Sequence, residues 1–82
     1  MASDRWVGFV RDLWAKPPFR WRQVRLFRDL IEMKTFATEL SCLEAVRKRY
    51  REVDAHGNCR YSRVAVPEGE RPDKIVQDAE GP

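Results

Sequence analysis

The sequence predicts a mainly α protein with two or three amphipathic helices, a short extended C-terminal segment and an irregular acidic tail. Apolar residues in the first half of the 82-residue chain recur at three- and four-residue spacing, the periodicity of a helix with one buried face. After Pro67 the chain is rich in Gly, Pro and acidic residues, a composition typical of irregular structure. We therefore expect a helical interaction region over residues 1–66 and a tail over residues 67–82.

The first predicted helix covers residues 4–15. Ser3 is a suitable N-cap and Asp4 suits the first turn. Pro17-Pro18 would end the helix, since the residue before a proline disfavours helical backbone. The apolar stripe that supports the prediction comprises Trp6, Phe9, Val10, Leu13 and Trp14.

A second amphipathic segment runs from residue 19 to residue 33. At 100° per residue its arginines and acids fall on one side, and two pairs four residues apart, Arg25–Asp29 and Arg28–Glu32, would support a helix. The opposite side would be apolar, formed by Val24, Leu26, Phe27, Leu30, Ile31 and Met33.

A third helix is predicted over residues 39–52, because Ser41-x-x-Glu44 has the pattern of a capping box. The sequence leaves open a single helix over residues 19–52. Residues 54–58 should form a turn, in which Gly57-Asn58 tolerates positive φ and Asp54 accepts backbone hydrogen bonds. The alternation of polar and apolar residues that follows predicts a short strand over residues 59–66.

The size of the chain limits what it can do alone. A domain of 82 residues buries only about 60% of its unfolded surface and is marginally stable. Its two cysteines, Cys42 and Cys59, do not make a disulfide framework. With His56 they supply only three of the four ligands of a usual zinc site. We therefore expect a protein partner to provide further stability, and we predict no metal and no cofactor.

Charge alternates along the chain. Residues 1–28 carry seven basic and two acidic side chains, residues 29–46 one and four, residues 47–63 six and two, and residues 64–82 two and five. Such alternation favours docking into a larger charged assembly over a uniformly basic nucleic-acid face. No apolar run approaches the roughly 20 residues that span a bilayer.

The chain offers little for catalysis. Cys59 and His56 lie three residues apart and could form a thiolate–imidazole pair, but no third residue is identifiable to orient them. The carboxylates are scattered near Arg and Lys, which is typical of a solvated surface. We therefore predict that the protein is not an enzyme and has no small-molecule substrate.

Cationic and aromatic side chains alternate in FRWRQVRLFR, residues 19–28. Three interpretations stay open: an amphipathic segment packed on another protein, an RNA-binding surface, or contact with anionic lipid. The large apolar residues exceed what so small a chain can bury, which favours a protein interface. The predicted partner-binding residues are the anchors Trp14, Trp21, Val24, Phe27 and Ile31, and the basic residues Arg22, Arg25, Arg47, Lys48, Arg49, Arg60 and Arg63.

Part of the chain resembles a known family. Arg47-Lys48-Arg49-Tyr50, followed by Val53-Asp54-x-x-Gly57-Asn58-x-x-Tyr61, is similar to a motif of the small matrix-side accessory subunits of respiratory complex I, the family of mimitin. Lys74-Ile75-Val76 is similar to a later basic-apolar step of the family, so the resemblance covers about residues 47–76. Tyr61 falls one place later than in the family's pattern, and the family's Trp-containing C-terminal segment is absent.

A second resemblance is to the LYR family of mitochondrial adaptors, which bind acyl carrier protein or stabilise respiratory complexes. Leu26-Phe27-Arg28 is similar to the tripeptide that names this helical family, with Phe in place of Tyr, and Phe36 to a downstream Phe.

Both resemblances imply an accessory or assembly subunit of a mitochondrial respiratory complex, with NADH dehydrogenase (complex I) as the first expectation. The Arg-rich amphipathic start of the chain is similar to a mitochondrial targeting segment, although it contains Asp4 and Asp12. The expected location is the matrix side of the inner membrane. A mitochondrial ribosomal or RNA-binding protein and an LYR-type adaptor are the alternatives.

Overall fold

A computed structural model describes residues 4–72 of the chain. In this range the order of elements is β1 (Trp6–Asp12), β2 (Arg22–Gln23), β3 (Leu26–Arg28), β4 (Ile31–Met33), α1 (Glu39–Arg49) and β5 (Tyr61–Pro67). The prediction of a mainly α fold is wrong, because the described chain has one helix and about 36% strand.

Strand β1 is the centre of a three-stranded antiparallel sheet of order β2-β1-β5. It pairs with β5 along its whole length, from Trp6 opposite Pro67 to Asp12 opposite Tyr61. On its other edge β1 pairs with β2. At the start of this edge the backbones of Trp6 and Phe36 exchange two hydrogen bonds of 2.7 Å. Both edges of β1 are therefore paired.

Residues 6–12 form a strand although their apolar spacing also suits a helix. The segment contains Val7 and Val10, whose branched side chains favour strands, and Gly8, which is a poor helix former. Helix α1 packs so closely that a Cβ at Gly8 would overlap the Cγ2 methyl of Val46. The predicted helix over residues 4–15 is wrong because pairing with β5 and this close packing outweigh the helical periodicity.

The segment predicted as a second helix contains β2 and a separate hairpin of β3 and β4. The chain reverses at Asp29 and Leu30, which have φ of 51° and 69°. The ion pairs expected at helical spacing are replaced by Arg25–Glu32 at 3.6 Å and Arg28–Asp29 at 3.8 Å. The tripeptide that resembles the LYR motif forms β3, so the helical surroundings of that family are absent here.

Helix α1 confirms the third predicted helix and excludes the single helix over residues 19–52. Its N-cap is Thr38, whose Oγ1 accepts a 3.1 Å hydrogen bond from the backbone N–H of Ser41. The predicted capping box is therefore wrong by one turn. Cys42 and Val46 are fully buried against the sheet, and the basic last turn lies at the favourable C-terminal end of the helix dipole.

The turn after α1 is formed as predicted. Asp54 Oδ1 accepts hydrogen bonds from the backbone N–H groups of His56 (2.8 Å) and Asn58 (2.9 Å), and Gly57 has φ of 83°. These hydrogen bonds hold the pKa of Asp54 below its usual value, the bond from Asn58 contributing most. The extended segment that follows is β5.

One hydrophobic core joins the inner face of the sheet, the hairpin and α1. Its buried members are Val10, Val24, Leu26, Cys42, Val46 and Ala65. No helix within residues 4–72 has the length and apolar character needed to cross a membrane. Of the predicted irregular tail, Pro67 ends β5 and residues 68–72 add a short turn, while the rest lies outside the described residues.

Candidate functional site

The β3–β4 hairpin carries the most exposed large apolar side chains of the described chain. Phe27 is 65% exposed, Leu30 at the tip is 100% exposed, and Ile31 is 68% exposed. We call these three residues the hairpin surface. Phe27 and Ile31 are anchors that the sequence predicts, whereas Leu30 is not among the predicted site residues. By the strand register Phe27 lies opposite Glu32 and Ile31 lies opposite Arg28, so their side chains extend from the two faces of the hairpin. Large apolar side chains that are left exposed on one small element favour an interaction site.

A groove of about 650 Å³ lies between the hairpin and α1. We call it the hairpin groove. Its lining includes the basic residues Arg28, Lys48 and Arg49 beside apolar ones. Two of the predicted electrostatic contacts, Lys48 and Arg49, thus lie next to the predicted anchor Phe27. The apolar lining residues are Leu26, Phe27, Met33, Phe36 and Ala45.

The ion pairs of the hairpin do not involve the basic residues that α1 contributes to the hairpin groove. Glu32 forms ion pairs with Arg25 at 3.6 Å and with Lys34 at 3.9 Å. These pairs are exposed and contribute little to stability. Neither Lys48 nor Arg49 forms an ion pair within residues 4–72. The hairpin groove therefore presents an apolar lining beside free positive charge.

A second groove, of about 420 Å³, lies beside the edge strand β2. Trp21 in this groove stacks under the guanidinium of Arg11, at 4.7 Å from the ring centroid. Val10 belongs to the core under α1. Because successive side chains of a strand point to opposite faces, Arg11 and the groove beside it lie on the sheet face away from α1. We call it the aromatic groove; it is lined by Phe9, Phe19, Arg20, Trp21, Arg71 and Pro72.

Arg60 has a structural role. Its guanidinium forms hydrogen bonds of 2.9 Å to Asp12 and 2.8 Å to Glu52, and it lies 5.4 Å from the centroid of the Trp14 ring. The hydrogen bond from Arg60 holds the pKa of Asp12 below its usual value, and Asp12 raises the pKa of Arg60 in return. Arg60 and Trp14 join the end of β1 to the segment before β5 and do not meet the hairpin surface.

The remaining predicted site residues are dispersed. Val24 is 3% exposed and lies in the core, so it is not available as a surface anchor. Arg63 donates a 3.0 Å hydrogen bond to the backbone oxygen of Tyr50, just past the end of α1. Arg47 is exposed on α1, and Arg22 is exposed on β2. The structure therefore brings together only part of the predicted set, around the hairpin.

Sequence reasoning missed Leu30 and Phe19 as surface residues. A helical wheel places Leu30 on a buried face, because it assumes that the backbone continues as a helix through Asp29. The signal for a turn was weak, since a two-residue hairpin turn usually contains Gly or Asn and this one is Asp-Leu. Phe19 follows Pro17-Pro18, and only the tertiary fold shows that it borders a groove.

The structure also shows the surroundings of the residues considered for metal binding and thiol chemistry. Within residues 4–72 no three His, Cys, Asp or Glu side chains come close enough to hold a metal. Burial raises the pKa of the Cys42 thiol to about 11, which disfavours the nucleophilic thiolate. Cys59 faces Val53 in an isolated β-bridge beside the turn that contains His56.

No protein-family model, characterised protein or solved structure matches this chain. The fold and the arrangement of surface residues therefore carry the functional argument.

Proposed function

We propose that this protein is a non-catalytic docking subunit that attaches to a larger protein assembly through the hairpin surface. The observation that carries the proposal is the exposure of three large apolar side chains, Phe27, Leu30 and Ile31, on one two-stranded hairpin. Full burial of such a side chain is worth about 1.5–3 kcal/mol. A hairpin with three of them gains most of its burial only when a partner covers it.

The backbone at the hairpin tip supports the same proposal. Leu30 adopts φ of 69°, a left-handed conformation that costs a residue other than Gly roughly 1–2 kcal/mol. Glycine would form this turn without strain. A strained, fully exposed leucine contributes nothing to the core, whereas it gives a partner an apolar contact at the tip of a projecting element.

The partner's chemistry follows from the hairpin groove. Its apolar floor fits an apolar side chain of a partner segment, and Lys48 and Arg49 on its helix side fit acidic residues that flank this side chain. We therefore propose that the occupant is an amphipathic protein segment with an acidic border. The central aromatic residue, Phe27, should be the energetic hot spot, and the basic rim should affect mainly the association rate.

The assembly we propose is a mitochondrial respiratory complex, with complex I as the first candidate and the matrix side of the inner membrane as the location. This part of the proposal rests on the resemblance over about residues 47–76 and on the Arg-rich start of the chain. Tyr50 and Tyr61, two aromatic positions of the motif, pack edge to face with ring centroids 5.0 Å apart. This contact gives the two tyrosines of the motif a role in the fold, whether or not the protein belongs to such a complex.

Native complexome profiling of the tagged protein tests both parts of the proposal. The wild-type chain should co-migrate with a complex far larger than itself, and complex I subunits should share its peak. Phe27→Asp should move the protein to the free fraction, because loss of a hot spot costs about 2 kcal/mol or more, roughly 30-fold in Kd. The matched control is Leu40→Asp, since Leu40 is 64% exposed on the first turn of α1 and does not line the hairpin groove.

Three results would count against the proposal in different ways. Free migration of the wild-type chain would refute docking. Co-migration that Phe27→Asp and Leu40→Asp reduce equally would refute the hairpin as the contact. Co-migration with another complex would refute complex I but leave the docking surface intact.

A further inference from the structure

We infer that the aromatic groove and the neighbouring edge strand β2 form a binding site for single-stranded nucleic acid. This inference goes beyond the docking function and uses a different surface. The hairpin surface lies on β3 and β4, whereas the aromatic groove lies beside β2 on the sheet face opposite α1. Either site could fail a test without affecting the other.

The first argument is the concentration of charge. Residues 13–28 contain five basic side chains and no acidic one. Arg20 and Arg71 line the groove and are exposed, and neither forms an ion pair within residues 4–72. Arg60, by contrast, is neutralised by Asp12 and Glu52. Free arginines around a groove without carboxylates attract a phosphate backbone.

The second argument is the presence of exposed ring surface among these charges. Phe19 is 40% exposed although it is large and apolar, and it borders the aromatic groove with Trp21 and Phe9. Aromatic rings beside arginines are the feature by which proteins stack unpaired bases while they bind phosphates. An acidic peptide would use the arginines but would bring no flat ring for Phe19 to stack on.

The third argument is the shape of the site. The groove of about 420 Å³ is within the range of small-ligand sites and fits individual bases, not the width of a duplex. Beside it, β2 is an edge strand of only two residues, so the border of the sheet next to the groove is open. Arg22 lies opposite Val10 and therefore on the other face of the sheet, where it lines a smaller cleft with Asp12.

Fluorescence anisotropy with a labelled 12-nucleotide oligouridine, its DNA counterpart and a duplex of the same length tests the inference. The full chain should bind either single strand more tightly than the duplex, and the RNA and DNA arms show whether the sugar matters. Affinity should fall as salt rises. Arg20→Ala/Arg71→Ala should weaken binding and reduce the slope of log K against log salt by about 1.4, since each phosphate contact contributes about 0.7.

Two further variants separate the site from general charge attraction. Phe19→Ala leaves the charge unchanged and should weaken binding by roughly 5- to 150-fold through lost stacking. Arg47→Ala/Arg51→Ala removes the same charge as the groove variant from exposed positions on and after α1, and should have little effect. Circular dichroism of each variant would show whether it is folded.

A structural readout completes the experiment. In ¹H–¹⁵N spectra, oligouridine should shift the indole N–H signal of Trp21 and leave the amide signals of Phe27 and Ile31 unchanged. The inference is overturned by absence of single-strand binding at low salt, by equal losses from the two double-arginine variants, or by binding that Phe19→Ala does not weaken. Equally tight binding of polyglutamate or of anionic phosphatidylglycerol vesicles would also overturn it.

Discussion

Replacement of Gly8 by alanine tests the observed strand β1 against the helix that the sequence predicts for residues 4–15. In an exposed helix, Gly→Ala stabilises by about 1 kcal/mol. In the structure, Gly8 lies on β1 beneath α1, and an added Cβ would overlap the Cγ2 methyl of Val46 and contact Cys42 Sγ at 3.6 Å. The two arrangements therefore predict opposite signs for the change in the free energy of unfolding.

The magnitude follows from the packing. Overpacking a tight core costs about 1–3 kcal/mol, and reduced freedom of the unfolded chain offsets about 0.4–1 kcal/mol of this. We expect Gly8→Ala to destabilise by about 1–2 kcal/mol. For a domain of this size each kcal/mol lowers Tm by about 4–8 °C.

A double-mutant cycle, measured by urea denaturation, gives the interaction energy between positions 8 and 46. Val46→Ala alone should cost about 2 kcal/mol, because it removes two fully buried methyl groups. In Gly8→Ala/Val46→Ala the new methyl occupies part of the vacated space, so the double variant should be more stable than the sum of the single effects by about 0.5–3 kcal/mol. Stabilisation by Gly8→Ala, or additive effects within about 0.5 kcal/mol, would refute the packing of α1 over Gly8.

Two other predictions concern the hairpin tip and the half-buried Asp12. Leu30→Gly should raise the free energy of unfolding by about 1 kcal/mol, since it relieves a left-handed leucine and removes no buried surface; a lower Tm would contradict this. Asp12 should make the protein acid-sensitive: its folded pKa is depressed by Arg60, so its stabilisation is present above the unfolded pKa of about 3.9 and is lost as pH falls through the folded value. The Tm difference between wild type and Asp12→Asn should therefore shrink from pH 6 to pH 3, and a constant difference would rule out this linkage.

The local features of the second half of the chain could be predicted from sequence because they depend on neighbouring residues. The turn at Asp54 needs only a carboxylate followed by Gly57 and Asn58, and all of its hydrogen bonds lie within five residues. Helix α1 likewise follows from continuous helix-forming composition. Its cap was misplaced by one turn, because both Thr38 and Ser41 are good N-cap residues and the choice between them depends on where the chain leaves β4.

The first half could not be predicted in the same way because its structure depends on distant pairing. Apolar residues at positions 6, 9, 10, 13 and 14 fit a helix, yet the segment is fixed by β5, whose residues are between 49 (Asp12–Tyr61) and 61 (Trp6–Pro67) positions away in the sequence. The hairpin could not be predicted either, because Asp29-Leu30 is not a usual turn sequence. The predicted anchors divided accordingly: Phe27 and Ile31 are exposed on the hairpin, while Val24 became part of the core.

At Leu30 the stability of the free chain and the proposed binding to a partner favour different residues, which a single substitution can test. Its backbone lowers the stability of the free protein, and its side chain is fully exposed there. Stability alone would favour Gly at this position, and the proposed contact with a partner would account for the leucine. Under the proposed docking function, Leu30→Gly has opposite effects on the two properties: the isolated chain becomes more stable, and the complex becomes weaker. A residue that served only the fold would change both in the same direction, because a more stable binding surface would also bind at least as well.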